Sequence, residues 1–74
     1  MDFVLYGGNT FTALEVKNAR ALNPIDYNGL ISFGDDYPEA SLVLLYRGDI
    51  LMKHRNILVV PVEMFLRRPG DYLR

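Results

Sequence analysis

The sequence of 74 residues has no cysteine, no tryptophan and a single histidine. Without cysteine there is no disulfide framework, the usual support of small secreted scaffolds. With His54 alone, a structural zinc site of four Cys or His ligands cannot be assembled. No stretch approaches the ~20 consecutive apolar residues of a membrane helix. The first residues are acidic and apolar where a signal peptide would be basic. Excess charge of one sign is missing too: the net charge is -1, which argues against a free-standing nucleic-acid binder held by electrostatics. These absences point to one small cytoplasmic domain with no membrane partner. A chain near this length buries only about 60% of its unfolded surface, so its core is thin.

The charge that is present is divided unevenly. Residues 1–46 carry two cations (Lys17 and Arg20) against six carboxylates, whereas residues 47–74 carry six cations against three carboxylates. A solvated surface explains this as well as a basic contact face does.

Asp2 to Tyr6 is β-branched and aromatic, and Gly7-Gly8-Asn9 supplies the backbone freedom of a tight turn into a second strand, Thr10 to Lys17. Asn23-Pro24 is a helix start, with Asp26 placed to complement the helix dipole. The pattern predicts a helix from Pro24 to about Phe33, with Tyr27, Leu30 and Ile31 inward and Gly34 as its left-handed terminator. Ser41 to Arg47 is apolar without alternation, the signature of a strand covered on both faces. Short strands at 50–54 and 57–60 follow, then a short helix from Val62 to about Arg67 and a tail over 69–74. The order predicts an α/β sandwich built on a mixed sheet, with a strand-helix-strand crossover between the second and third strands. Two helices are few for so many apolar strand faces, so burial against a second copy or a further segment is expected.

One constellation has the composition of a site. Residues two apart in a strand share a face, which projects Glu15 and Lys17 together. If Tyr6 pairs with Phe11, Asp2 falls opposite Glu15 on that face; a slip of one residue sends it to the other side. Two facing carboxylates repel, and Mg²⁺ is a natural neutraliser. A lysine beside them could orient a water and stabilise charge developing on a phosphate. A cross-strand ion pair at a sheet end is the plain alternative for the same three residues.

Asp2 followed by Glu15-Val16-Lys17, with a hairpin between and a helix after, resembles the Asp…(Asp/Glu)-x-Lys core of restriction-endonuclease-like nucleases, the PD-(D/E)xK fold. Residues 11–18, 29–33, 36–40, 44–48 and the Val60-Pro61-Val62-Glu63 region with Phe65-Leu66 resemble one group more closely. This is an uncharacterised domain at the C-terminus of prokaryotic predicted AAA-type (P-loop) ATPases. The resemblance implies a nuclease-like domain over residues 1–68, with Asp2 and Glu15 as ligands of Mg²⁺ and Lys17 as the catalytic lysine. It further implies DNA as substrate and an ATPase module in a longer protein. The pattern's preceding helix and first strand are expected to be missing, because the chain starts at the strand of Asp2. It has no Gly-x-x-x-x-Gly-Lys-Ser/Thr loop, so no ATPase activity is expected of it. The alternative is a non-catalytic interaction domain, a homo-oligomer that keeps the fold and has lost the chemistry.

Other features read more plainly. Gly7-Gly8 is a hairpin turn rather than a phosphate cradle. His54 reads as an exposed histidine, and Arg47, Lys53, Arg55, Arg67 and Arg68 as solvated cations. Tyr27, Phe33, Tyr37, Tyr46 and Phe65 lack the basic interleaving of a base-stacking platform and read as core and rim.

Overall fold

The structure, a computed structural model, describes residues 2–73. Strands β1 (Phe3–Gly7), β2 (Thr10–Val16), β3 (Ser41–Tyr46), β4 (Met52–His54) and β5 (Ile57–Pro61) form one sheet in the order β1-β2-β3-β5-β4. The central three run parallel, while β1 and β4 pair antiparallel at the two edges. The sheet is therefore mixed, with helix α1 (Asn28–Asp36) in the crossover from β2 to β3 and helix α2 (Val62–Arg67) following β5.

The β1–β2 register pairs Tyr6 with Phe11 and Phe3 with Leu14, as the placement of Asp2 opposite Glu15 requires. The pairing continues to Gly7↔Thr10, which leaves a two-residue connection. Gly8 takes its first position with φ +56°, a left-handed conformation that costs a glycine little.

The helix expected from Pro24 is divided and runs further. Pro24–Tyr27 is a single 3₁₀ turn, tied at its start by the Asn23 N–H donating to the Asp26 carboxylate at 2.8 Å, and α1 proper ends at Asp36. Gly34 does not terminate it; Tyr37 does, donating its N–H to the Phe33 carbonyl. The reason is packing. A Cβ on Gly34 would lie 2.7 Å from Leu42 Cδ1, so the glycine lets α1 lie close against β3.

Apolar side chains collect on both faces of the sheet. Under α1, Ala13, Leu42, Leu44, Ile57 and Val59 pack with Tyr27, Leu30 and Tyr46. On the opposite face Leu14, Val43, Leu45 and Val60 pack with Phe65 of α2. The segment expected as a tail makes a 3₁₀ turn at Pro69–Asp71 and lays Tyr72 and Leu73 on this second cluster, the Tyr72 ring 6.0 Å from that of Phe65. Short α2 alone could not cover four strand residues, and the returning chain supplies the remaining apolar surface. Part of the apolar surplus expected from the sequence lies in β1, all five residues of which are exposed, and a second exposed apolar run is Ile50-Leu51-Met52.

Candidate functional site

The carboxyl end of β2 and the amino end of β1 place the three predicted residues. At the end of β2, Glu15 projects from the α1 face and is buried, at 6% exposure. Its register partner is Leu44, and an ionised carboxylate among aliphatic side chains is costly unless it is paired. One partner stands two residues on: Lys17 Nζ lies 3.3 Å from Glu15 Oε2, with the lysine reaching from a half-exposed position. Same-face spacing in a strand is what allows this contact.

Asp2 stands one residue before Phe3↔Leu14, the last pair of the β1–β2 ladder, so continuing that register would set it opposite Glu15. Its carboxylate is turned along the strand, where Oδ2 accepts the Val16 N–H at 2.7 Å. That bond ends the ladder: β1 stops at Phe3, and the Asp2 side chain takes the donor that a further backbone carbonyl would have taken. Among the described residues no group of three or more His, Cys, Asp or Glu side chains converges.

Around this point the backbone holds the strand ends rigid. The Lys17 N–H donates to the Leu45 carbonyl and the Arg47 N–H to that of Ala19, both at 2.9 Å, so the β2–β3 pairing extends beyond the strands proper. Arg47 Nη1 donates to Asn18 Oδ1 at 3.0 Å. Asn18 escapes a sequence reading, because nothing before the fold announces that it meets a residue 29 positions away. Arg20 and Asp49 face each other across solvent at 3.8 Å, an exposed pair of little energetic weight. The other cations are scattered: Lys53 lines a depression at the amino end of β3 with Ser41 and Asp71, and Arg67 lines another with Gly48 and Glu63.

His54 departs from the exposed reading. Its ring stacks on that of Tyr27, with centroids 3.8 Å apart and planes 14° from parallel, and it is half-buried. Burial, with Asp26 and Tyr46 nearby, pushes the Tyr27 phenol above its ordinary value. Tyr46 holds the chain that follows it: its hydroxyl donates to the Ile50 carbonyl at 2.6 Å and accepts the Ile50 N–H at 3.2 Å.

A second grouping forms at the other end of β1 and β2. Phe11 meets Tyr6, Phe33 and Tyr37 edge to face at centroid distances of 5.0, 6.0 and 5.8 Å, and Phe33 and Tyr37 lie 4.7 Å apart. With Val4 and Glu39 these rings line a surface groove. Core and rim describe them incompletely. The cross-strand pair Tyr6–Phe11 and the one-turn spacing of Phe33 and Tyr37 are the signals that foretell the groove.

Comparison with curated proteins and with solved structures gives no match. Residues 1–65 match a family described as a domain of unknown function, DUF4143, which occurs in AAA-ATPase-containing proteins. The match spans most of the chain, from the residue before Asp2 into α2, and the chain belongs to the DUF4143 family.

Proposed function

We propose that this chain is the C-terminal module of an AAA-type ATPase, with a restriction-endonuclease-like core descended from a Mg²⁺-dependent nuclease acting on DNA. The observation that supports this reading best is the grouping at the end of β2. Asp2 precedes Phe3, the partner of Leu14, and its carboxylate accepts the N–H of Val16, the residue between Glu15 and Lys17, while Lys17 lies 3.3 Å from the Glu15 carboxylate. A hairpin, a helix and a parallel strand surround the grouping in the order expected of that core.

The donor set fits the metal. Both carboxylates are hard oxygen donors, and Mg²⁺ is commonly held by one or two carboxylates with waters completing its octahedron. Asp2 and Glu15 would be its ligands, and the ion would supply Lewis acidity and a more acidic bound water. Glu15 keeps the Lys17 ammonium at the mouth of the site. From there it can hydrogen-bond an attacking water and offset charge gathering on a phosphodiester oxygen. Partial burial strengthens both interactions relative to open solvent.

Titration calorimetry with MgCl₂ and with MnCl₂, run beside cleavage of plasmid DNA, tests the reading. Saturable heat that disappears in Glu15→Gln and Asp2→Asn, with cleavage lost in Lys17→Ala, is the expected result. A flat titration of the unaltered chain would overturn the metal site.

The exposure of all of β1 favours a second reading, a non-catalytic interaction domain that associates with itself. Light scattering across a concentration series separates the two. A monomer at every concentration that cuts DNA with Mg²⁺ removes the second reading.

A further inference from the structure

The open edge of β1 and the aromatic groove beside it form one surface, and the hydrogen-bond pattern shows what that surface presents. The Val16 N–H points toward the β1 side, where it meets Asp2. By alternation along β2 the N–H groups of Leu14 and Thr12 point the same way, which makes Phe3↔Leu14 and Leu5↔Thr12 the hydrogen-bonded pairs. Val4 and Tyr6 therefore turn their N–H and C=O groups outward, to the edge that no described strand covers. Their side chains, 47% and 81% exposed, stand on the α1 face as one wall of the groove. The devices that usually blunt an edge are missing: Phe3–Gly7 contains no charge and no proline.

The groove carries a charge preference. Phe11 meets Tyr6, Phe33 and Tyr37 at 75–79°, while Phe33 and Tyr37 are tilted by 31°, so the groove presents both ring edges and ring faces. Glu39 lies at its rim. Beside it α1 ends in Asp35 and Asp36 with no cation in the last turn, an arrangement that opposes the helix dipole and leaves that end strongly negative. Among the described residues the lining of the groove includes no lysine or arginine. Aromatic faces next to a carboxylate attract an organic cation, with the guanidinium of arginine the best match for stacking and pairing together.

We infer that this surface binds an extended basic peptide segment. The segment adds as a strand to β1, exchanging hydrogen bonds with the backbone of Val4 and Tyr6, and inserts an arginine among Tyr6, Phe11 and Tyr37 toward Glu39. Main-chain pairing supplies the docking and the groove supplies the selectivity. The inference is independent of the metal site, which lies at the opposite end of β2.

The test is an amide-detected NMR titration of the chain with an acetylated, amidated peptide, Thr-Val-Arg-Val-Thr, and with its norleucine counterpart. The expected result is saturable shifts at Val4 and Tyr6, with the arginine peptide about tenfold tighter. Glu39→Gln should remove that difference. Val4→Pro should abolish binding of both peptides while leaving the β3 and β5 amides in place, because the proline removes an outward N–H and spares the β1–β2 ladder. Equal affinity of the two peptides, shifts away from β1, or concentration-dependent shifts without peptide (a second copy on the edge) would each overturn the proposal.

Discussion

The ring of Tyr46 fills the space in which a Cβ on Gly48 would sit: that atom would lie 2.5 Å from Tyr46 Cζ and 2.8 Å from its Oη. The ring cannot withdraw, because it is buried and its hydroxyl is tied to both backbone groups of Ile50. Gly48→Ala therefore either displaces the ring or breaks the two bonds. A loss of about 1–3 kcal/mol, the usual cost of overpacking, is expected in urea unfolding. Tyr46→Phe in the same background should lose less than the two separate costs added together, since both act on one turn.

Arg55 is the non-glycine residue with positive φ, +58°, among those described, and it begins the two-residue connection between β4 and β5. A left-handed conformation costs a side-chain-bearing residue about 1–2 kcal/mol, and glycine returns part of that gain as unfolded-state entropy. Arg55→Gly should raise stability by about 0.5 kcal/mol, measured as an increase in the urea midpoint at unchanged slope. A fall in the midpoint would show that the arginine side chain holds the turn by contacts of its own.

Glu15 and Lys17 form a pair with unequal exposure, so the two deletions should differ. Removing Lys17 takes a cation from a buried carboxylate, while Glu15→Gln leaves the more exposed ammonium to water. A double-mutant cycle is expected to give a coupling of about 0.5–1 kcal/mol once solvent screening at the lysine is allowed for. A coupling near zero would mean that the ammonium contributes nothing to the fold.

Asp2→Ala removes the acceptor of the Val16 N–H and should free the last rung of the hairpin. Hydrogen exchange at the Val16 amide is expected to accelerate about tenfold, with little change at Val43 or Val59 in the centre of the sheet. Uniform acceleration at all three would indicate global destabilisation instead.

Tyr27 supplies the pH dependence. Its phenol titrates above the ordinary 10.0 in the folded chain, chiefly because burial disfavours the phenolate. The unfolded chain releases that proton first as pH rises, so this contribution is whole below pH 10 and is lost as pH climbs through the folded value. Alkaline unfolding should begin above about pH 10, and Tyr27→Phe should move its midpoint upward. An unmoved midpoint would assign the transition to another group.

Much of the sheet was legible in the residues. Gly7-Gly8-Asn9 marks the hairpin and the apolar run 42–46 announces a central strand, whereas the choice between the two hairpin registers is made by the fold. What was not legible depends on contacts distant in sequence. Gly34 has the local signature of a helix end, yet Leu42 across the layer decides that it stays inside α1. Tyr72 and Leu73 read as a tail until α2 proves too short to cover β3 and β5. His54 looks solvated unless it is known that Tyr27 lies flat beneath it. At the candidate site the faces of Glu15 and Lys17 came from alternation alone. The rotation of the Asp2 carboxylate to Val16 depends on where the β1 ladder stops, which no local pattern encodes.

The two outer strands are unlike. At one margin β4 has three residues, a central lysine and the constrained Arg55 turn, and it offers a poor template for another strand. At the other margin β1 is longer and uncharged. Such a sheet can be extended from one side only. Among the described residues strand-mediated association is thereby self-terminating: a guest on β1, or one twin molecule joined β1 to β1, uses the receptive margin and leaves the short, charged β4 edge as a poor base for a filament.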